Sequence, residues 1–247
     1  MMSRIRVRDI YCVLFALLCP VLVNNPARGT STGLNNIPTT DIVPERVFVW
    51  QGWINAAGGE RPQQFTGFKY GLFQDAEIGV DWRASDNPHG HAMLQAKYAF
   101  DIGQSDVWRG VVGFADLSGN RNHNGEWFPY MATSVDLKAV RLHFGFAPQP
   151  HNERFFGGID KTVSFLDRNL MLRFDGIHIN DKQDMLFSAG FLYELAPKSG
   201  GSATQQTGLA GVLDGIVKNM ILETWVSKPS TGDKETYTVK LNYVVAF

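Results

Sequence analysis

Ionisable side chains recur at every second position within short apolar runs of this sequence, and they are the first candidates for chemistry. A period of two places such residues on one face of a β-strand. Positive and negative side chains occur in nearly equal number. If the strands enclose a lumen, this balance favours a salt-bridged lumen or a weakly selective channel over a channel selective for anions or cations. The candidate pore-lining residues are Lys69, Glu77, Asp81, Arg83, Lys97, Asp101, Arg109, Asp136, Lys138, Arg141, His143, Asp160, Arg173, Asp175, Glu223 and Lys240.

His143 is the candidate for acid–base or nucleophilic catalysis. Such a site needs a hydroxyl group held against an oriented base, and we expect no serine to pair with this histidine. Arg141, two residues away, opposes protonation of the imidazole, and the sequence contains no Gly-x-Ser-x-Gly motif. We therefore assign His143 to the polar interior, and we predict no catalytic residue and no enzymatic activity.

Two segments contain possible metal ligands, but neither has a suitable donor set. Residues 120–125 have the alternating spacing of a calcium loop, yet they carry no carboxylate, and Met131 stands where the bidentate glutamate belongs. His89 and His91 are expected to be solvated loop residues. We predict no metal site and no cofactor.

The elements that carry the charged residues are short runs of β-branched, aromatic and glycine residues between turn signals. Most are close to the roughly 9–11 residues that a tilted strand needs to cross a bilayer. We count twelve runs: residues 46–56, 63–73, 75–85, 91–102, 105–117, 128–138, 140–148, 154–164, 169–179, 184–195, 219–228 and 235–247.

The joins between the runs support a membrane barrel more strongly than alternation does, since alternation fits any half-buried sheet. Long and short joins follow each other, as in bacterial membrane barrels. Residues 196–218 break this order, because the longest join stands where a short one is expected. Apolar residues at helical spacing in residues 207–219 predict a short amphipathic helix, which could plug the lumen, lie at the membrane surface or pack on the barrel rim. We favour the rim or the surface.

The first 29 residues predict export. An apolar stretch, residues 10–23, has the length of a signal-peptide core and is short for a membrane helix. Ala27 and Gly29 fit the −3 and −1 positions of a cleavage before Thr30. The stretch follows a basic start that contains Arg4, Arg6 and Arg8.

Charge and cysteine content restrict the remaining chain. The sequence has two cysteines, Cys12 and Cys19. Both lie within the predicted signal peptide, so we expect no disulfide in the exported chain. The formal net charge of -1 gives no indication of a nucleic-acid partner. We predict three parts: a signal peptide (1–29), an irregular segment with two prolines (30–45) and a barrel (46–247).

The chain end resembles the C-terminal signal of Gram-negative outer-membrane barrels. Tyr243, Val245 and Phe247 occupy alternate positions, and Phe247 is the last residue. Together with the signal peptide and the alternating runs, this pattern resembles the porin-like superfamily over residues 46–247. The resemblance implies an all-β, closed antiparallel transmembrane β-barrel of about twelve strands in the outer membrane. It also implies two partners, the membrane lipid and the barrel assembly machinery; the oligomeric state stays open.

Residues 32–45, TGLNNIPTTDIVPE, resemble the opening of barrels associated with exopolysaccharide export. Those barrels begin with a stretch similar to TGL-x-x-IPTA just before the first strand. Thr40 stands where alanine is usual.

The expected function is a narrow, weakly selective channel for small polar solutes, or a component of envelope polysaccharide traffic. The alternatives are a filled structural barrel, an outer-membrane enzyme and a soluble β-sandwich that binds glycans. We expect a charge network that includes Lys97, Asp101 and Asp81, with Asp81 beside a buried cation if the lumen is filled. Glycines in the wall favour an open lumen: Gly67, Gly71, Gly79, Gly113 and Gly145.

Overall fold

The computed structural model describes residues 32–84, 92–103, 107–118, 127–148, 154–178, 184–196 and 216–247. Within these residues the chain forms twelve antiparallel strands, and β1 pairs with β12 to close a single barrel. The strands are β1 Val47–Ala57, β2 Gln63–Phe73, β3 Ala76–Arg83, β4 Met93–Asp101, β5 Trp108–Leu117, β6 Phe128–Asp136, β7 Arg141–Ala147, β8 Arg154–Phe165, β9 Arg168–His178, β10 Met185–Glu194, β11 Met220–Pro229 and β12 Thr236–Ala246.

The predicted fold class and strand number are confirmed. Each predicted run overlaps one strand, and the largest error in a strand end is at β5, which was predicted from residue 105 and begins at Trp108. The agreement has a physical basis, because alternating apolar residues mark each strand and turn residues mark its ends.

The strand register separates an apolar outer face from a polar inner face. Ile54 pairs with Val239 in the β1–β12 ladder, and both side chains are about half exposed, at 46% and 54%. Their neighbours Gln51 and Asn242 pair on the opposite face and are buried. Large exposed apolar side chains such as Phe144 and Phe174 continue the outer band around the barrel.

The two ends of the barrel differ. We call the end where β1 begins and β12 ends the turn end, because the joins after β2, β6 and β8 at this end have only two to four residues. The join after β4, predicted to be short, has six residues. The other end is the loop end. The long join after β10 is at the turn end; most of its predicted helix lies outside the described residues, and residues 216–218 form a helical turn. No helix in the described part of the chain is long and apolar enough to cross a membrane.

Residues 32–43, which we call the luminal segment, lie inside the barrel. The sequence predicted an irregular segment here but gave it no place in the lumen. Leu34 and Ile37 pack into one inner apolar cluster with Phe156, and Val43 packs into a second cluster with Val49. All five side chains are at most 6% exposed, and Val43 is fully buried. The segment therefore contributes to the core of the barrel.

Candidate functional site

The barrel wall presents nearly all of the predicted lining residues to the lumen. The register places fifteen of the sixteen on the inner face of a strand. Lys138 is the exception, because β6 ends at Asp136 and Lys138 lies in the following turn with a φ of 64°. Its prediction as a lining residue is wrong, since strand pairing ends before it.

Glu223 is the centre of one buried charge cluster in the wall. Its carboxylate accepts hydrogen bonds from Arg173 (2.6 Å) and from the side-chain amide of Asn242 (2.5 Å). The ammonium group of Lys240 lies 3.6 Å away. Glu223 is 1% exposed, so the cluster links β9, β11 and β12 away from bulk water.

Glu77 is the centre of a second cluster, which the luminal segment completes. Lys69 and Lys97 place their ammonium groups 3.9 and 3.8 Å from its carboxylate. The other carboxylate oxygen accepts a hydrogen bond from the backbone N–H of Val43 (2.7 Å). Lys97 also donates to the backbone carbonyls of Thr32 and Thr39, the latter at 3.2 Å.

The tip of the luminal segment is held by β9, β10 and β11. Asp175 accepts hydrogen bonds from the backbone N–H groups of Asn35 (2.9 Å) and Asn36 (3.4 Å). The side-chain amide of Asn36 donates to the hydroxyl groups of Ser188 and Ser227, the latter at 2.8 Å. These contacts join residues about 140 to 190 positions apart in the sequence.

Asp41 anchors the base of the segment. Arg141 donates two hydrogen bonds to its carboxylate, at 2.5 and 2.9 Å, and a further one to Asp160 at 2.7 Å. Burial alone would raise the pKa of Asp41, but the charge and hydrogen bonds of Arg141 and the charge of Lys97 hold it below its ordinary value. Asp41 therefore stays ionised and paired at neutral pH.

Beside this anchor the structure brings together a serine, a histidine and an aspartate. Ser134 Oγ lies 2.7 Å from His143 Nδ1, and His143 Nε2 lies 2.9 Å from Asp160. The expectation of no Ser–His pair is therefore wrong. The pairing could have been found from the β6–β7 hairpin. Asp136 pairs with Arg141 next to the turn, and Ser134 and His143 each lie two residues further from the turn, so they face each other.

The three side chains resemble a hydrolytic triad in composition but offer no access to a substrate. His143 is fully buried, and Ser134 and Asp160 are each 4% exposed. None of them lines the cavity in the lumen. A nucleophile must reach its substrate, so the observed geometry is that of a polar network that braces the wall.

A cavity of about 500 Å³ occupies the lumen on the loop-end side of the luminal segment. Trp53, stacked on Phe65 with ring centroids 5.1 Å apart, forms part of its wall. Asp81 lies in the wall and accepts hydrogen bonds from Gln51 (2.7 Å) and Gln95 (2.8 Å). The cavity also contains charges of both signs, including Asp116, Arg154 and Lys240. It has the size of a small-molecule site.

Two expected charge contacts do not form. Asp101 pairs with Arg109 at 3.1 Å, whereas Lys97 contacts Glu77 and the luminal segment. Lys97 and Asp101 are four residues apart on one strand, and at about 3.3 Å per residue they are too distant to pair. Asp81 is held by two amides and forms no ion pair within 4 Å among the described residues.

The wall glycines do not leave an open lumen. A Cβ atom at Gly71 would lie 1.9 Å from the backbone oxygen of Pro44, and one at Gly145 would lie 2.1 Å from the ring of Phe156. At Gly67 the same position is 1.8 Å from the carboxylate of Asp81. The space near Gly79 and Gly113 is filled in the same way. The open-lumen interpretation of these glycines is therefore wrong.

The described residues contain no group of three or more His, Cys, Asp or Glu side chains that could hold a metal ion. The calcium-like loop 120–125, His89 and His91 lie outside the described residues. Nothing further follows for these predictions.

The fold has counterparts among solved structures. The KdgM porin matches with a TM-score of 0.53 and 14% sequence identity, over 79% of this chain and 98% of that chain. A KdgM porin in complex with disordered oligogalacturonate matches with a TM-score of 0.54 and 11% identity, over 80% and 98% of the two chains. No protein-family model and no curated protein matches the sequence. The chain is therefore similar in fold to the bacterial outer-membrane porins.

Proposed function

We propose that this protein is an outer-membrane channel of the porin type for small polar solutes, and that its lumen is closed in the conformation described above. The observation that carries the proposal is the inversion of polarity between the two faces of a closed barrel. Exposed apolar side chains such as Phe144 and Val239 form the outer band, while buried charges such as Glu223 face the lumen.

The outer face supports a membrane location. Its aromatic and aliphatic side chains surround the barrel, and an apolar surface of this extent marks contact with a partner or a lipid phase. A closed barrel leaves no unpaired strand edge, as a bilayer requires. The predicted signal peptide fits export to the Gram-negative outer membrane.

The chain end fits assembly in that membrane. Tyr243 and Val245 face outward on β12, and the backbone N–H of Phe247 donates to the carbonyl of Arg46 at 3.0 Å. The Phe247 side chain is 74% exposed. We propose that these three residues are the signal that the barrel assembly machinery recognises.

The loop-end cavity supports small polar solutes rather than a strongly selected ion. It combines carboxylates, cations, amides and the indole of Trp53, and the two charge signs occur in nearly equal number. The second candidate function is a filled structural barrel without transport. The luminal segment favours it, because the segment fills the lumen between the turn end and the cavity.

Conductance of the barrel without the luminal segment tests the proposal. A variant that lacks residues 30–43 is purified in detergent, checked for heat-modifiable migration in gels, and inserted in a planar bilayer. We expect discrete channels of low ion selectivity. A folded variant without conductance would establish the filled barrel instead.

A further inference from the structure

We propose that the luminal segment, residues 32–43, is a tethered peptide ligand that closes the channel from the turn end and can leave the lumen while the barrel stays folded. This inference rests on the proposed channel function and names its regulation. Three features of the structure support it: an independent strand ladder, wall charges with partners of their own, and a sharp turn of the chain at the base of the segment.

The backbone ladder of the barrel is complete without the segment. Every strand pairs with two neighbouring strands, from β1 through β12 and back to β1. The segment forms one bridge within itself, between Gly33 and Pro38, and the residue pair Glu45 and Gly71 forms one bridge at its base. Removal of residues 32–43 therefore breaks no strand pairing.

The wall binds the segment with complementary polar groups. Wall cations donate to backbone carbonyls of the segment, as Arg173 does to Gly33 at 2.9 Å. Wall carboxylates accept from its backbone N–H groups, as Glu77 does from Val43. Together the polar contacts come from seven strands, which makes this inner surface a binding site for an extended peptide.

The cations that hold the segment are also paired within the wall. When the segment leaves, each keeps a carboxylate partner, and water can replace the lost carbonyl. The departure therefore strands no isolated buried cation, which would be the main obstacle to opening. The wall pairs are Lys69–Glu77 (3.9 Å), Lys97–Glu77 (3.8 Å), Arg141–Asp160 (2.7 Å) and Arg173–Glu223 (2.6 Å).

The segment is covalently continuous with the barrel at its base, where the chain enters β1. Pro44 fixes one backbone torsion there, and Arg46 has a φ of 60°, so the chain turns sharply between the lumen and the wall. Burial of Leu34, Ile37 and Val43 favours the closed state. We therefore expect the closed state to dominate, with the segment leaving the lumen only occasionally by a rotation of the chain at this turn.

The test compares the full exported chain with the variant that lacks residues 30–43 in planar bilayers. We expect the full chain to be closed with rare openings and the variant to conduct continuously. A synthetic peptide of residues 30–43 should block the variant when added on the turn-end side and not on the other side. A peptide of the same composition in scrambled order is the control.

Each outcome separates the two proposals. Equal conductance of the full chain and the variant would overturn the closing role of the segment and leave the channel function standing. A folded variant that does not conduct would overturn the channel function itself. A variant that conducts but is not blocked by the peptide would overturn the binding-site inference.

Point variants keep the test decisive if the deletion fails to insert. Asn36→Ala removes a side-chain contact at the tip of the segment, and Asp41→Ala removes one at its base; both leave the strand ladder intact. The double variant should raise the open fraction of the channel roughly tenfold or more, because two hydrogen-bonded contacts are lost, one of them to a charged group. Asp233→Ala, in an exposed join at the loop end, is the control. An unchanged open fraction in the double variant would overturn the inference.

Discussion

At the scale of single residues, a buried carboxylate with several cationic neighbours controls the stability of the wall. Replacement of Glu223 by alanine leaves Arg173 and Lys240 without their common partner. We expect a loss of about 3–5 kcal/mol in the free energy of unfolding, because uncompensated charges would remain buried. Urea unfolding of the folded barrel in detergent micelles measures it.

A matched control for this variant is available on the surface. Glu235 pairs with Lys228 at 2.7 Å, and both side chains are largely exposed. Glu235→Ala should unfold at nearly the same urea concentration as the unchanged protein, since solvent screens this pair. Equal unfolding midpoints of the two variants would show that water screens the Glu223 cluster and that the cluster contributes little to the free energy of unfolding.

The sequence was sufficient to predict the inner face for fifteen of the sixteen candidate lining residues, all but Lys138, but not their partners. The face depends only on a period of two along one strand. Partners depend on register between strands, which placed Asp101 against Arg109 rather than Lys97. The Ser134–His143 contact was accessible from the hairpin turn, whereas the contact between Arg173 and Glu223 joins β9 to β11 across β10 and required the structure.

At the scale of elements, the strands were predictable and the luminal segment was not. Strand pattern and turn residues are local signals. Residues 32–43 are rich in Asn and Thr, which suit an exposed linker as well as a segment with polar partners. Asn35 contacts Asp175 and Asn36 contacts Ser227, and no local pattern identifies partners so distant in the sequence.

Gly71 tests how the base of the segment is seated. A Cβ atom at this position would meet the backbone oxygens of Pro44 and Val43 at 1.9 and 2.5 Å. Gly71→Ala should therefore push the segment from its seat, at a cost of about 1–3 kcal/mol in its docking, and leave the barrel folded. We expect faster proteolysis of the segment, with unchanged heat-modifiable migration.

The control for this variant is Gly157→Ala on the outer face, where the nearest atom, the carbonyl oxygen of His143, is 3.3 Å from the added Cβ. It should change neither the proteolysis rate nor migration. If the segment of the Gly71 variant is cleaved as slowly as that of the unchanged protein, the base of the segment can shift without releasing the segment from the lumen.

At the scale of the whole molecule, the strand number follows from the twelve alternating runs that the sequence displayed, and β1 closes the barrel on β12. The strand number does not predict whether the lumen is filled. A barrel of about twelve strands is intermediate between small barrels filled by side chains and large barrels with an open channel. The filled state of the lumen depends on Leu34, Ile37 and Val43, whose burial required a structure.

Orientation is the last property of the whole molecule that the structure makes testable. The start of β1 and the end of β12 lie at the turn end, so export and assembly from the periplasm would leave that end on the inner side. Cys12 and Cys19 precede the predicted cleavage, so a single introduced cysteine is a clean label site. Gln74 is exposed in a turn-end join and Asp233 in a loop-end join. Asp233→Cys should react with a membrane-impermeant maleimide on intact cells, and Gln74→Cys should react only after the outer membrane is permeabilised. The reverse pattern would place the luminal segment on the outer side of the channel, with the loop-end cavity opening inward.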